Sequence, residues 1–198
     1  SAGLPASYVQ TFVRGAVSST ENVNIQTWYS YDELGRVKWM AQKPKALPRV
    51  FVAEYSYDFL GNVLTVAQKS YQAGVLKDQF YHYYTYDKDK RLTHCHTSVD
   101  GNVNTKTLQA KYIYYLHGPL KRIELATQLQ GIDFTYNIQG WLQSINHPDT
   151  GKDPGLDGQP GVNSGFRKDA FGLQLQYYES LIAPLQAAVP GQDDPARS

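Results

Sequence analysis

Three aspartates occupy equivalent places in a repeated stretch of this sequence, and paired carboxylates are the groups from which acid/base catalysis is often built. They are Asp32, Asp58 and Asp87, and each follows a Tyr-x-Tyr triplet. A catalytic carboxylate pair is expected once per site, whereas these aspartates recur once per repeat. An aspartate at the start of a turn accepts hydrogen bonds from nearby backbone N–H groups. The pattern therefore predicts turn residues, and we expect no catalytic residue and no enzyme activity.

A second place for chemistry is the segment His94-Cys95-His96, which holds metal-ligating and nucleophilic side chains. On a strand His94 and His96 share one face and Cys95 lies on the other. Two histidines are too few for a closed zinc site, although His82 or His117 could supply a third ligand. A nucleophilic cysteine needs an oriented base, and burial as a small apolar residue is the simpler interpretation. We expect no metal site and no cofactor.

A third group of acidic residues, Asp149, Asp153 and Asp157, lies in a stretch rich in glycine and proline. A calcium loop of the helix–loop–helix kind has acidic residues two apart and a terminal glutamate. That spacing is absent here, so the sequence predicts a solvated loop from Asp149 to Asn163. A loop of this length in a compact domain is usually functional or mobile.

Aromatic side chains make up 13% of the chain, and 16 of its residues are tyrosines. This content is typical of strand-rich surfaces. Aromatic rings on a strand can stack on sugars, or they can fill the inner layer of a sheet. We expect the structural role for tyrosines at repeated positions, where they would stack into ladders. The candidates for a binding surface are the clustered tyrosines Tyr81, Tyr83, Tyr84, Tyr177 and Tyr178.

The element that positions these residues is a repeated β-hairpin. Tyr29 and Tyr31 share one face of a strand, Asp32 opens a turn, and Gly35 supplies the positive φ that closes a hairpin with a bulge. Where Lys90 replaces the glycine, we expect a strained or longer turn. The repeat positions in the five copies are Tyr29, Tyr31, Asp32, Gly35; Tyr55, Tyr57, Asp58, Gly61; Tyr84, Tyr86, Asp87; Tyr112, Tyr114, Gly118; and Phe134, Tyr136, Asn137, Gly140.

Charge and composition exclude several classes of function. Lysine plus arginine is 19 and aspartate plus glutamate is 18, a formal net charge of +1. A dedicated nucleic-acid binder or a polybasic membrane anchor needs a surplus of cations. No apolar run approaches the roughly 20 residues of a membrane span. One cysteine cannot form an internal disulfide.

The hairpins predict an all-β fold, with one antiparallel sheet of roughly ten strands that would curve or coil. We expect a hairpin array over residues 1–145, a Gly/Pro/Asp-rich loop over 146–165 and a further strand over 166–180. Residues 181–198 are expected to form a short helix or a disordered tail. The two free sheet edges of such an array would be templates for pairing with another chain.

The pattern Tyr-x-Tyr-Asp-x-x-Gly-[Arg/Asn]-[Val/Leu] resembles the YD repeat of the RHS-repeat family, which includes bacterial rearrangement-hotspot proteins, the C components of insecticidal toxin complexes and the teneurins. Residues 131–146, together with Asp169-Ala170-Phe171-Gly172-Leu173, are similar to stretches of RHS proteins from Bacteroidetes-type bacteria. The resemblance covers roughly residues 25–180. The family's self-cleaving core is not carried over, because Asp153-Pro154-Gly155 lacks the flanking residues of that motif.

The resemblance implies a segment of a spiral β-shell that encapsulates and delivers a secreted toxin. Its partners would be the remainder of a larger RHS protein, a toxin cargo or export machinery, reached through the open sheet edges. The implied location is secreted or at the cell surface. The alternative is an extracellular carbohydrate-binding or adhesion module that uses exposed tyrosines.

Overall fold

The computed structural model describes residues 3–147, 149, 151–161 and 163–177. These residues form twelve β-strands and no helix, and the strands follow one another in the sheet in chain order. The predicted fold class, all-β with tandem antiparallel hairpins, is confirmed. Residues 181–198, predicted as a short helix or disordered tail, lie outside the described residues.

The strands are short to medium in length, and most of them span one arm of a repeat hairpin. They are β1 Ser19–Glu21, β2 Ile25–Tyr31, β3 Val37–Pro44, β4 Val50–Tyr57, β5 Val63–Gln72, β6 Val75–Tyr86, β7 Leu92–Ser98, β8 Thr107–Tyr114, β9 Leu120–Leu125, β10 Gln130–Tyr136, β11 Leu142–Ile145 and β12 Leu173–Gln174.

In the first, second, third and fifth copies the strand register is interrupted just before the turn. The register between β2 and β3 shifts between Ser30 and Tyr31, and that between β4 and β5 shifts between Ser56 and Tyr57. A bulge of this kind accommodates a turn whose last residue has positive φ. Gly35 and Gly61 have φ values of 77° and 93°. The hairpin with a bulge, predicted from the repeat, is therefore present.

The chain divides into two compact units. The first comprises the chain up to Ile113 together with Glu124–Thr127. Its apolar core lies on one face of the sheet and consists of buried residues from β3, β4 and β5, which are Trp39, Ala41, Val50, Val52 and Tyr71. The core is covered by the segment before β1, from which Leu4 and Tyr8 pack against it. No pattern in the sequence indicated this cover.

The second unit comprises Tyr114–Ile123 and the chain from Gln128 onward. Its buried residues include an unusual share of polar side chains, among them Asp133, Asn146, Asp153 and Asp157. β12 pairs with β11 through Ser144↔Gln174 and Ile145↔Leu173 and lies within the stretch predicted as a further strand. No helix that could cross a membrane is found among the described residues.

Candidate functional site

Each repeat aspartate closes its own turn. Oδ1 of Asp32 accepts hydrogen bonds from the backbone N–H groups of Leu34 and Arg36, both at 2.9 Å, and Oδ2 accepts one from Arg36 Nε at 2.6 Å. The backbone N–H of Gly35 donates to the carbonyl of Asp32 at 3.0 Å. Partial desolvation raises the pKa of the Asp32 carboxyl, but the hydrogen bonds from Arg36 and Leu34 outweigh it and lower the pKa.

The same geometry recurs in the later copies. Asp58 Oδ1 accepts from the N–H groups of Leu60 and Asn62 at 2.9 and 2.8 Å, and the Asn62 side chain donates to Oδ2 at 2.8 Å. The Asn62 hydrogen bonds lower the pKa of the Asp58 carboxyl. Asn137 takes the same position in the fifth copy through its Oδ1. The repeat carboxylates therefore occupy separate turns, and each has local hydrogen-bond partners.

Neighbouring hairpins are joined by the second tyrosine of the repeat. Tyr57 Oη donates to the carbonyl of Val37 at 2.8 Å, and Tyr86 Oη donates to that of Val63 at 2.8 Å. Both valines follow the turn of the preceding copy. A further contact joins the turns, because Arg36 Nη1 donates to the carbonyl of Asp58 at 3.0 Å. Spacing alone did not show these contacts, although the regular position of the tyrosines was a signal for them.

Rings of neighbouring copies meet where Tyr115 of the fourth copy lies edge to face with Tyr136 of the fifth, with centroids 6.3 Å apart. Rings also pair along a strand, as in Tyr55 and Tyr57, whose centroids are 6.4 Å apart. The first strands of successive copies are separated by a return strand, which places them about 10 Å apart. That spacing disfavours face-to-face stacking between copies, and the Tyr115–Tyr136 contact is accordingly edge to face.

The third copy turns without its glycine. Asp87 makes the same carboxylate contacts as the other aspartates, with the N–H groups of Asp89 and Arg91 at 2.9 Å. Lys90 occupies the glycine position with a φ of 63°. A side chain in this left-handed region is strained, so the expectation of a strained turn is confirmed. The turn has the same length as those of the other copies.

The candidate binding tyrosines of β6 lie on both faces of the sheet. Tyr81 and Tyr83 stack with centroids 6.3 Å apart, and Tyr84 stacks on His82 at 6.2 Å on the opposite face. All three tyrosines are half-buried. The Tyr83 phenol donates to the carbonyl of Gly101 at 2.9 Å. These contacts give the rings structural partners and leave part of each ring accessible.

The remaining candidates belong to the end of the described chain. Tyr177, in the second unit, is 37% exposed, and its phenol donates to the carbonyl of Leu142 at 3.0 Å. Its ring lies 5.2 Å from that of Trp141. Tyr178 lies outside the described residues.

The histidine–cysteine segment has the alternation expected of a strand. His94 and His96 stack with centroids 6.0 Å apart, and burial raises the pKa of the Cys95 thiol on the other face. Burial lowers the pKa of His96, as do the nearby charges of Lys106 and His94. His82 pairs with Thr97 and so lies on the face of Cys95. In the described ranges, no group of three or more His, Cys, Asp or Glu side chains is arranged to hold a metal ion.

The expectation of a solvated acidic loop is wrong for two of its three aspartates. Asp153 and Asp157 are only 5% and 2% exposed, whereas Asp149 is exposed. The reason is a cation that the loop spacing could not reveal, since Arg122 on β9 donates to Asp157 Oδ1 at 2.7 Å. Arg122 also forms a short ion pair with Asp133 on β10. Burial raises the pKa of Asp133 to about 6 despite the Arg122 charge.

Two glycines allow this close packing. A Cβ on Gly131 would lie 2.0 Å from Arg122 Nη2, and a Cβ on Gly155 would lie 2.2 Å from Asp133 Oδ2. Both distances are far inside van der Waals contact, so any larger residue would displace the ion pairs. The guanidinium of Arg122 lies 4.7 Å from the ring centre of Phe166, which covers it. These glycines are the signal by which the buried cluster could have been suspected.

Comparison with known proteins gives structural neighbours only. No protein-family model matches the sequence, and no curated protein matches it significantly. A crystal structure of TcdB2-TccC3 without its hypervariable C-terminal region matches with a TM-score of 0.55 and 14% identity, over 68% of this chain and 7% of that chain. A Tc holotoxin pore from Photorhabdus luminescens matches with a TM-score of 0.32 and 14% identity, over 72% of this chain and 10% of that chain.

The first of these matches shows the fold alone. At 14% identity the TcdB2-TccC3 likeness supports an RHS-type shell fold for this chain. The second TM-score is too low to support an argument. The chain spans less than a tenth of the length of the TcdB2-TccC3 chain that it matches.

Proposed function

We propose that this chain is a non-enzymatic segment of an RHS-repeat shell that encapsulates a toxin for delivery, and that it acts outside the cell or at its surface. The observation that supports this most directly is the repeated join between hairpins. Tyr57 and Tyr86 each reach back to the preceding copy at 2.8 Å. A unit that contacts mainly its neighbours can be added indefinitely, which is how extended walls are built.

The fold likeness to TcdB2-TccC3, a protein of a toxin complex, supports the same role. The repeat aspartates also support a structural function, because each is held by hydrogen bonds within its own turn. A carboxylate so occupied and held ionised is a poor general acid.

The proposed partners are the remainder of a larger RHS protein, its toxin cargo or export machinery. The outermost strands support contact through the sheet edges. β1 has three residues, all exposed, and β12 has two. Backbone groups on the outer side of such strands can pair with a further strand.

The test is protease protection of the cargo in the full-length protein. The complete reading frame is expected to hold further hairpin repeats and a neighbouring domain that resists protease while the shell is intact. The same domain expressed alone serves as the control and is expected to be digested. Equal digestion of the two, or a reading frame without further repeats, would overturn the proposal.

Variants connect that experiment to the structure. Replacing both Tyr57 and Tyr86 with phenylalanine removes the two phenol contacts between hairpins and is expected to speed digestion of the cargo. Tyr55→Phe is the matched control, because the Tyr55 ring stacks on Tyr57 and phenylalanine retains that ring.

A carbohydrate-binding or adhesion module is the second candidate, and one cavity favours it. A cavity of about 380 Å³ lies on the face of the first unit that the N-terminal segment does not cover. Phe51 and Phe80, which are 40% and 36% exposed, line it with the polar side chains of Gln42 and Gln68. A sugar can stack on an exposed aromatic ring and form hydrogen bonds with the side-chain amides beside it. Retention on a glycan array that is lost in Phe80→Ala would support this candidate, and no retention would remove it.

A further inference from the structure

Among the described residues of the second unit, more acidic side chains are buried than cationic side chains. Its acidic cluster consists of four aspartates around one arginine, namely Asp133, Asp153, Asp157, Asp169 and Arg122. Arg122 pairs with Asp133 and Asp157, and the backbone N–H of Gly131 donates to Asp157 Oδ2 at 3.1 Å. These contacts account for two of the four carboxyl groups.

The other two carboxyl groups have unsatisfied oxygens. Asp153 is 5% exposed, and its Oδ2 accepts from the N–H of Asp157 at 3.3 Å, but its Oδ1 is buried without a partner. Both oxygens of Asp169 are buried without a partner. Leaving a buried charged oxygen unpaired costs free energy, so something must compensate these three atoms.

The two carboxyl groups face each other, and this points to a proton as the compensation. A contact between Asp153 and Asp169 becomes a hydrogen bond only when one of them is protonated. Two adjacent carboxylates in a poorly solvated site do not both ionise, and one proton is held between them. The side-chain amide of Gln130 also faces Asp169.

We propose that Asp153 and Asp169 share one proton, and that this proton joins the two ends of the acidic segment, residues 151–161 and 163–171, which packs against Arg122 of β9 through Asp157 and Phe166. When the proton is lost, the two carboxylates repel each other and the segment loosens. The charged groups that face the pair are Asp157 on the segment, Asp133 on β10 and Arg122 on β9. Arg167 and Lys168 precede Asp169 and are exposed.

The direction of the pH dependence follows from the site. Burial and the neighbouring Asp153 raise the pKa of Asp169 to about 7, well above its ordinary value of 3.8. A raised folded-state pKa contributes stability that is complete below the ordinary pKa and is lost as the pH rises through the folded one. The window is therefore about pH 4 to 7. Asp133, with a pKa raised to about 6, acts in the same direction.

Loosening of the segment would have a defined consequence for Arg122. Gly155, which belongs to the segment, packs directly against the Arg122–Asp133 ion pair, and Phe166 covers the guanidinium of Arg122. Asn146 Nδ2 also donates to the carbonyl of Phe171 at 3.1 Å, which fixes the far end of the segment. Release of the middle would uncover a cation that is otherwise buried.

The test is hydrogen exchange of the full chain, read by mass spectrometry between pH 5 and 8.5 and corrected for the intrinsic exchange rate. We expect protection of the acidic segment to fall by up to roughly tenfold per pH unit across the window in which the proton is lost. Protection of β4 and β5, in the first unit, serves as the internal reference. Asp169→Asn removes one carboxyl of the pair and is expected to remove the part of this pH dependence that the pair contributes, while the part from Asp133 remains.

Asp149→Asn is the matched control, because Asp149 precedes the same segment and is exposed. It is expected to keep the wild-type profile. A flat wild-type profile, or an unchanged pH dependence in Asp169→Asn, would overturn the proposal. Restored protection at pH 8 on adding calcium or magnesium chloride would also overturn it, in favour of a bound cation.

A second measurement covers the case in which Asp169→Asn does not fold. Carboxyl ¹³C NMR of the wild-type chain reports the titration of each aspartate directly. A midpoint near neutral pH for Asp169, assigned separately from Asp133, supports the shared proton. Ordinary midpoints for both Asp153 and Asp169 would overturn it, whatever the variants show. Neither measurement depends on the proposed shell function, so the two proposals succeed or fail separately.

Discussion

At the scale of single residues, the turn of the third copy allows the backbone strain of a non-glycine residue to be measured. Lys90 has a φ of 63° at the position where Gly61 has a φ of 93°. A non-glycine residue in the left-handed region costs roughly 1–2 kcal/mol. We therefore predict that Lys90→Gly raises the free energy of unfolding by about 1 kcal/mol, since glycine's extra freedom in the unfolded chain offsets part of the gain. Urea denaturation monitored by tryptophan fluorescence measures it.

The matched control is the reverse change in the second copy. Gly61→Ala is expected to destabilise the protein, and only through the backbone, because a Cβ there would meet no atom within 4 Å. If both substitutions left the unfolding midpoint unchanged, the strain assigned to the third turn would be wrong.

The turn carboxylate gives a second prediction at this scale. Asp58→Ala removes the acceptor for Leu60 and Asn62 and is expected to lower the melting temperature at neutral pH. Asp58→Asn keeps an acceptor oxygen, as Asn137 does in the fifth copy, and is expected to lower the melting temperature by less than Asp58→Ala. Because hydrogen bonds from Asn62 lower the pKa of Asp58, its stabilisation is present above the ordinary carboxyl pKa and is lost as the pH falls through the lowered one. Calorimetry measures the melting temperatures of the wild type and Asp58→Ala at neutral pH and in acid, and the difference between them should be smaller in acid.

At the scale of elements, the phenol contacts between hairpins are the testable feature. Tyr57→Phe and Tyr86→Phe each remove one hydrogen bond to a backbone carbonyl and keep the ring. Each is expected to cost about 1 kcal/mol of unfolding free energy. Tyr55→Phe is the control, and denaturant titration of all three variants is the measurement. Equal stability of the three would show that the ring, and not the hydroxyl, joins the hairpins.

The same scale explains what could be predicted from sequence. A hairpin depends on residues close in sequence, so alternation and Asp-x-x-Gly turns identified the repeat hairpins, although the described residues form twelve strands where roughly ten were expected. The core cover and the acidic cluster depend on distant partners. Tyr8 donates to Glu54, 46 residues away, and Arg122 reaches Asp157, 35 residues away. No local period encodes such pairs, so the cover was missed and the cluster was taken for a solvated loop.

At the scale of the whole molecule, the question is what stops or allows pairing at the sheet edge formed by β1. The N–H of Tyr29 bonds the carbonyl of Ser18, and the N–H of Asn22 bonds that of Ile25. In an antiparallel pair, alternate residues face the partner strand. The backbone groups of Ser19 therefore point away from the sheet and are available to another strand. An edge of three residues still offers a template, though a short one.

We therefore predict that Ser19→Pro weakens association of the chain without weakening its fold. Proline has no N–H to donate, and at Ser19 that donor faces outward, so the pairing of β1 with β2 is retained. Thr20→Pro is the control, because Thr20 alternates with Ser19 and its N–H faces β2, so its loss is expected to lower stability. Sedimentation velocity over a range of concentrations measures association of the wild type and both variants. A wild type that stays monomeric at every concentration would show that this edge does not pair with a second copy, and would leave a different chain as its partner.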